Sequence, residues 1–141
     1  MKMTGERQRV MSYTEFIEVL RFLKKVGSIR EIGLFYMGES ALNKNLAKFY
    51  KYAKEEGFFT FLTTNGTIAS TVIEAIPYID SLKVSWNYKN LDDFIRKTNA
   101  PASLFKIIKT NISNFKIKCN EYSKKLTIST ILDSSEADYI N

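Results

Sequence analysis

Histidine is absent from this 141-residue sequence, and cysteine occurs only once, at Cys119. A single thiol cannot form an internal disulfide, and zinc sites normally need several cysteine or histidine ligands. Histidine-based triads are excluded as well, so any acid or base must be a carboxylate, a lysine, a tyrosine or Cys119 itself. Nothing near Cys119 in the sequence would activate it, and we interpret it as a structural thiol rather than a nucleophile.

Long apolar runs are also missing. The longest are the size of a strand, far short of the roughly 20 residues that a membrane helix needs, and no signal peptide is recognisable. The sequence therefore predicts a cytoplasmic protein without a membrane partner. The length and the 45% hydrophobic content fit one domain, residues 1–141, with residues 1–11 as an irregular lead-in.

The charge is moderately positive and evenly spread. Lysine and arginine number 21 against 15 acidic residues, a net charge of +6. The basic residues fall on the outer faces of predicted helices and are not interleaved with stacking aromatics, which disfavours a nucleic-acid surface. The excess charge suits an anionic cofactor or partner. A phosphate-binding loop of the Gly-x-x-x-x-Gly-Lys-Ser/Thr type is absent.

The pattern that is present alternates helices with strands. Apolar stripes at spacings of three and four predict helices, the first with a capping box of Ser12 and Glu15 and a stop at Gly27. The predicted helices cover residues 12–27, 42–56, 71–76, 91–97 and 103–120. Ser70 or Thr71 is the predicted N-cap of the third, and a last helix begins with Asp133, Ser134 or Ser135 as its N-cap. The predicted strands cover residues 31–37, 58–62, 82–86 and 125–132.

Such alternation predicts an α/β fold with about four parallel strands and crossover helices, either a doubly wound sheet or an arc of a (β/α) barrel. Both architectures bind ligands at the carboxyl ends of the strands. Glycine and asparagine there can also be simple turn residues. The polar candidates at these ends are Gly38, Glu39, Thr64, Asn65, Ser85 and Asn87, together with Asp133 and Ser134 after the fourth strand.

Three of these segments, in this order, resemble one family. The first is Met37-Gly38-Glu39-Ser40 followed by Leu42, the second is Thr64-Asn65-Gly66-Thr67, and the third is Val84-Ser85. Together they are similar to the central part of radical S-adenosylmethionine (SAM) enzymes. The usual motif there is Gly-Gly-Glu-Pro, so Met37 and Ser40 depart from it. The resemblance extends over residues 8–135 and implies a partial (β/α) barrel of the radical SAM type.

The resemblance also implies a cofactor site. Gly38 and Glu39 would bind the amino group of S-adenosylmethionine, partly through backbone carbonyls, because an ammonium group needs acceptors. Ser85, with Asn87 close by, would face the methionine carboxylate or the ribose. Thr64 and Asn65 would face the cofactor or a substrate. The resemblance assigns no catalytic residue and no metal ligand in this chain.

One part of the family signature is missing. The Cys-x-x-x-Cys-x-x-Cys loop, which holds a four-iron four-sulfur (4Fe-4S) cluster, is not encoded in these residues. We therefore expect a fragment, truncated at both ends, of an enzyme that in intact form generates a 5′-deoxyadenosyl radical. The chain alone would be inactive. The alternatives are a cluster-free homologue that only binds, and an α/β binding or scaffold module.

Two further expectations concern surfaces. Trp86, Tyr88 and Phe94 form an aromatic group outside the main apolar stripes, which we interpret as packing rather than recognition. A four-stranded arc has two unpaired edges, and such edges favour self-association. The substrate is not indicated by the sequence.

Overall fold

A computed structural model describes residues 11–34 and 38–131 of the chain. Within these ranges the helices are α1 (Tyr13–Val26), α2 (Leu46–Glu55), α3 (Ser70–Ala75), α4 (Leu91–Thr98) and α5 (Ala102–Glu121), and short 3-10 turns lie at Ser40–Leu42 and Ile76–Tyr78. The strands are β1 (Glu31–Gly33), β2 (Phe59–Thr64), β3 (Ser81–Ser85) and β4 (Lys125–Ser129).

The four strands form one parallel sheet in the order β1-β2-β3-β4. Right-handed crossovers between strands that are added in one direction place all connecting helices on the same face. This is the topology of a barrel arc. A doubly wound sheet requires a reversal of strand order, and none occurs in the described part of the chain. The predicted α/β fold with four parallel strands is confirmed.

The core lies between the sheet and its helices. Alternate residues of β2 and β3 point into it, among them Leu62, Leu82 and Val84, each fully buried. A second, smaller cluster joins α1 and α2 to β1 through Phe16, Phe49 and the other buried residues there. The opposite face of the sheet, which we call the open face, carries no helix among the described residues and holds a recess of about 410 Å³.

Local signals predicted the first helix correctly. The Ser12 hydroxyl accepts from the Glu15 amide at 3.3 Å, the Glu15 carboxylate accepts from the Ser12 amide at 2.8 Å, and the helix ends at Gly27 with φ +77°. The spacing of three and four also predicts Val19 on the buried stripe beside Phe16 and Leu20, and this is wrong because Val19 is 44% exposed. Spacing alone does not reveal which apolar positions find a neighbour.

Two other helix starts were predicted wrongly. Helix α2 begins at Leu46, because the Asn43 side chain accepts from the Asn45 amide at 2.9 Å and forms a turn there. The same spacing predicts Leu42 on the buried face of this helix with Leu46 and Phe49, but Leu42 lies before the helix and is 66% exposed. The N-cap of α3 is Ala69, and the Thr71 hydroxyl donates instead to the Ala41 carbonyl at 2.6 Å.

The first and fourth strands were predicted too long, because Leu34, Thr130 and Ile131 lie outside β1 and β4. The Leu34 amide donates to the Tyr50 hydroxyl and the Ile131 amide donates to the Asn87 side chain, instead of to a neighbouring strand.

The rest of these two predicted strands, residues 35–37 and Leu132, lies outside the described residues. So do the helix start after Asp133 and most of the lead-in, residues 1–10. Among the described residues, no helix is both long enough and apolar enough to cross a membrane.

Candidate functional site

The described residues resume after β1 at Gly38, which is exposed and has φ +114°. Residues that carry a side chain rarely adopt this backbone conformation, whereas glycine adopts it without strain. A β-carbon on Gly38 would meet no atom within 4 Å. The requirement for glycine here therefore comes from backbone conformation rather than from lack of space.

Glu39 connects the segment that follows β1 to the carboxyl end of β2. One carboxylate oxygen, Oε1, accepts from the Thr64 hydroxyl at 2.8 Å and from the Ala41 amide at 3.1 Å. The other, Oε2, accepts from the Asn65 amide at 2.7 Å. A carboxylate has about four acceptor positions, so three of them serve the protein itself. Glu39 is fixed in place by its own chain.

The Thr64-Asn65-Gly66 segment is a self-contained turn. Thr64 is 2% exposed, and its hydroxyl accepts from the Gly66 amide at 3.1 Å while it donates to Glu39. The Asn65 side-chain oxygen accepts from the Thr67 amide at 2.9 Å and from the Thr67 hydroxyl at 2.7 Å. Both side chains are thus engaged in holding the turn.

Asn111 on α5, which is not among the candidates predicted from the sequence, completes this turn. Its side-chain amide donates to the Gly66 carbonyl at 2.8 Å, and the residue is 8% exposed. A β-carbon on Gly66 would lie 3.1 Å from the buried side chain of Ile108. The available signal was an asparagine at core spacing between Ile108 and Phe115, since a buried amide needs a partner.

The carboxyl end of β3 carries Ser85 and Asn87. Ser85 lies on the open face opposite Ser129 of β4, and its hydroxyl has no hydrogen-bond partner among the described residues. The side-chain oxygen of Asn87 accepts from the Ile131 amide at 3.0 Å. The backbone carbonyl of Asn87 accepts from the Lys97 ammonium at 3.2 Å. An open recess of about 220 Å³ lies beside Asn87.

The structure therefore joins Glu39, Thr64 and Asn65 directly in one hydrogen-bonded group. Ser85 and Asn87 lie at the end of the neighbouring strand and, among the described residues, make no hydrogen bond to that group. Of the six predicted candidates that the structure describes, only Gly38 and the Ser85 side chain make no hydrogen bond to another described residue. The predicted candidates Asp133 and Ser134 lie outside the described residues.

Asp93, an acid with a strongly lowered pKa, lies in the first turn of α4 near this edge. It is 8% exposed and accepts from the Lys89 amide at 3.0 Å, from the Lys97 ammonium at 3.1 Å and from Arg96. These hydrogen bonds lower the pKa of Asp93 to about 2. The largest contribution comes from the Lys89 amide, and the bonds from Lys97 and Arg96 contribute less. Asp93 therefore stays ionised as the anchor of the loop between β3 and α4.

The aromatic residues beside this edge lie close together. Trp86 lies 5.7 Å from Tyr88 and 5.1 Å from Phe105 between ring centroids, and Phe94 lies 5.3 Å from Phe105. Phe94 is 1% exposed. Phe94 is therefore packed as predicted. Trp86 and Tyr88 are half-buried and line the open recess beside Asn87, so for these two rings the interpretation as packing stays a prediction.

A cluster or metal site does not fit the described residues. Within them, no group of three or more histidine, cysteine, aspartate or glutamate side chains is placed to hold a metal ion. Cys119 is 1% exposed in the core, and burial raises the pKa of its thiol. It is a structural thiol, as predicted, and cannot replace the missing cluster ligands.

Comparisons with known proteins agree with this fold. No protein-family model matches the sequence, and no curated protein matches it. A structure of TYW1 with a lysine-pyruvate adduct bound has a TM-score of 0.60 and 21% identity over 86% of this chain and 41% of that one. A crystal structure of archaeal TYW1 has a TM-score of 0.65 and 18% identity over 96% and 51%.

TYW1 is a radical SAM enzyme, so the expected resemblance to that family is confirmed at the level of the fold. The chain spans about half, or less, of the length of these two structures. Its four-stranded parallel sheet with crossover helices corresponds to part of their α/β architecture.

Proposed function

We propose that this chain is the central part of a radical SAM enzyme core and binds S-adenosylmethionine at the carboxyl ends of β1, β2 and β3. The observation that carries the proposal is the bridge from Glu39 to Thr64 and Asn65. It locks two strand ends of a TYW1-like parallel sheet together, at the edge where such sheets bind ligands.

The residues of this edge divide the work of binding. Gly38 allows a ligand to approach the backbone, whose carbonyls accept from an ammonium group. The free Ser85 hydroxyl would donate to the carboxylate of S-adenosylmethionine or bond to a hydroxyl of its ribose. Glu39 positions Gly38 by holding the β1 end against β2, and its remaining acceptor position on Oε2 is open to the ammonium group. Thr64, Asn65 and Asn87 act through the turns that they stabilise.

In intact radical SAM enzymes, the cluster supplies the electron that cleaves S-adenosylmethionine to a 5′-deoxyadenosyl radical. The residues of this chain do not fit a cluster, because the only thiol is the buried Cys119. The contribution we propose for this chain is therefore binding and orientation of the cofactor. Cluster ligands would have to come from residues outside these 141.

Isothermal calorimetry with S-adenosylmethionine tests the binding proposal. Replacing Gly38 by valine forces a side chain into a left-handed conformation, shifts the β1 end and should weaken binding at least about tenfold. Gly57→Val is the matched control. Gly57 also has positive φ and free space around it, but it lies between α2 and the start of β2, at the amino ends of the strands. Equal affinity of the two variants, or no binding by the parent chain, would refute the proposal.

Binding without catalysis is the second candidate, favoured by the absence of any set of cluster ligands in the sequence. The two functions differ in what precedes Met1 in the gene. Three cysteines at Cys-x-x-x-Cys-x-x-Cys spacing upstream would support the enzyme. An in-frame stop codon directly upstream would support the cluster-free binding protein.

A further inference from the structure

The middle strand β3 carries a lysine on the open face. Lys83 lies opposite Thr63 of β2 and opposite Thr127 of β4, so strands flank it on both sides. Middle strands of parallel sheets are usually apolar on both faces. In β3, by contrast, the buried Leu82 and Val84 alternate with Ser81, Lys83 and Ser85 on the open face. A lysine in this position indicates that the open face meets something polar.

A second lysine lies diagonally beside the first. Lys125 of β4 is opposite Ser81 of β3, and Lys83 is opposite Thr127. The four residues form a square with lysines at two opposite corners and hydroxyl side chains at the other two. From the strand spacing and the rise per residue, the two lysine Cα atoms are about 8 Å apart. We call this group the lysine–hydroxyl square.

The positive charge of the square is not neutralised by the described residues. Other lysines have carboxylate partners, for example Lys54 with Asp80 and Lys97 with Asp93. Neither Lys83 nor Lys125 has a carboxylate within 4.0 Å among the described residues. The one acid that lines the same recess among the described residues is Glu31, which lies three strand spacings across and two residues along from Lys125, about 16 Å between Cα atoms.

The neighbouring wall of the recess is apolar. Phe61 of β2 lies opposite Ser81 in the register. Phe59, two residues earlier in β2, lies on the same face and is 47% exposed. A ligand with an anionic group on the square would therefore have aromatic surface beside it. The open face combines two unpaired ammonium groups, two hydroxyls and two rings within one recess of about 410 Å³.

We propose that the lysine–hydroxyl square binds the phosphate group of a phosphorylated substrate. A phosphomonoester carries a charge of about −1.5 to −2 and three acceptor oxygens, which match two ammonium groups and two hydroxyls. A carboxylate carries one charge and would leave one ammonium group uncompensated. Lys83 precedes Ser85 by two residues on the same face. The inference thus names a substrate class for the proposed cofactor site and depends on that proposed function for the reaction, but not for binding.

The test is a titration of the full 141-residue chain, labelled with ¹⁵N, with inorganic phosphate at low ionic strength near pH 7.5. Backbone amides of β3 and β4 should shift saturably. Lys83→Ala and Lys125→Ala should each weaken binding about tenfold or more, because each removes a charged donor. Lys83→Gln, which keeps most of the side-chain length, should weaken it similarly. Lys106→Ala, an exposed lysine of α5, removes one charge elsewhere and should leave the affinity unchanged.

Three results would overturn the inference. One is an equal loss of affinity in Lys106→Ala, which would indicate non-specific attraction. Another is acetate binding as tightly as phosphate, and the third is a set of shifts confined to the helices. Calorimetry with S-adenosylmethionine on the same samples separates the two proposals. Phosphate binding without cofactor binding refutes only the proposed function, and the reverse refutes only the lysine–hydroxyl square.

Discussion

At the scale of single residues, the Glu39 carboxylate is held mainly by hydrogen bonds to its own chain. It satisfies two backbone amides and one buried hydroxyl at 2.7–3.1 Å. Hydrogen bonds to a charged acceptor are stronger than neutral ones, and leaving such donors unpaired is costly. Glu39 therefore fixes the relative position of the β1 and β2 ends.

Glu39→Gln should destabilise the fold and loosen this edge. Glutamine keeps one acceptor oxygen but turns its amide nitrogen toward a donor, so that at least one of the three bonds is lost. We expect the free energy of unfolding in urea to fall by about 1–2 kcal/mol. Glu18→Gln, an exposed position on α1, makes the same chemical change and should have little effect. Equal stability of both variants would show that the bridge contributes nothing.

At the scale of secondary structure, α4 depends on one buried acid at its start. The Asn90 side chain accepts from the Asp93 amide at 3.0 Å, and the Asp93 carboxylate in turn holds Lys89, Arg96 and Lys97. A negative charge in the first turn of a helix also interacts favourably with the helix dipole. Loop and helix are thereby joined at a point beside Asn87.

This arrangement predicts acid sensitivity. The pKa of Asp93 is about 2 in the folded chain, below the value of about 3.9 in unfolded chains. Its contribution is therefore complete above about pH 4 and is lost as the pH falls toward 2. Asp93→Asn should be less stable than the parent at pH 7, and this difference should shrink between pH 4 and pH 2.

Urea unfolding at several pH values measures this difference. Asp92→Asn, at the neighbouring exposed position of the same helix turn, provides the control and should show no such convergence. Parallel pH curves for the parent and Asp93→Asn would contradict the assignment.

At the scale of the whole molecule, the sheet has two edges. Among the described residues, β1 pairs only with β2 and β4 pairs only with β3. Unpaired strand edges offer hydrogen-bonding groups to another chain. On β4 this edge also exposes Ile128, which is 54% accessible.

We expect the chain to self-associate through β4. Ile128→Lys places a charge on the edge strand and should shift sedimentation-velocity profiles toward the monomer over a concentration series. Ile117→Lys adds the same charge on α5 at a position 66% exposed, away from the edge, and should leave association unchanged. A parent chain that remains monomeric at all concentrations would show that this edge is not an interface.

Much of this protein could be predicted because its signals are local. The capping box of Ser12 and Glu15, the stop at Gly27 and the order of helices and strands depend on residues within a few positions of one another. The parallel sheet follows from that order and from crossover handedness. The position of Glu39, Thr64 and Ser85 near one edge follows as well, since parallel strands end on the same side.

The sequence by itself determined the order of the helices and strands and the edge of the sheet at which the polar residues after the strands lie. Only the tertiary structure decided which groups there are free. Glu39 meets Thr64 across 25 positions, and Asn111 meets Gly66 across 45. The lysine–hydroxyl square likewise depends on the register of β3 against β4. Such partners are chosen by packing between distant segments, because burial forces each polar group to find whatever neighbour the fold provides.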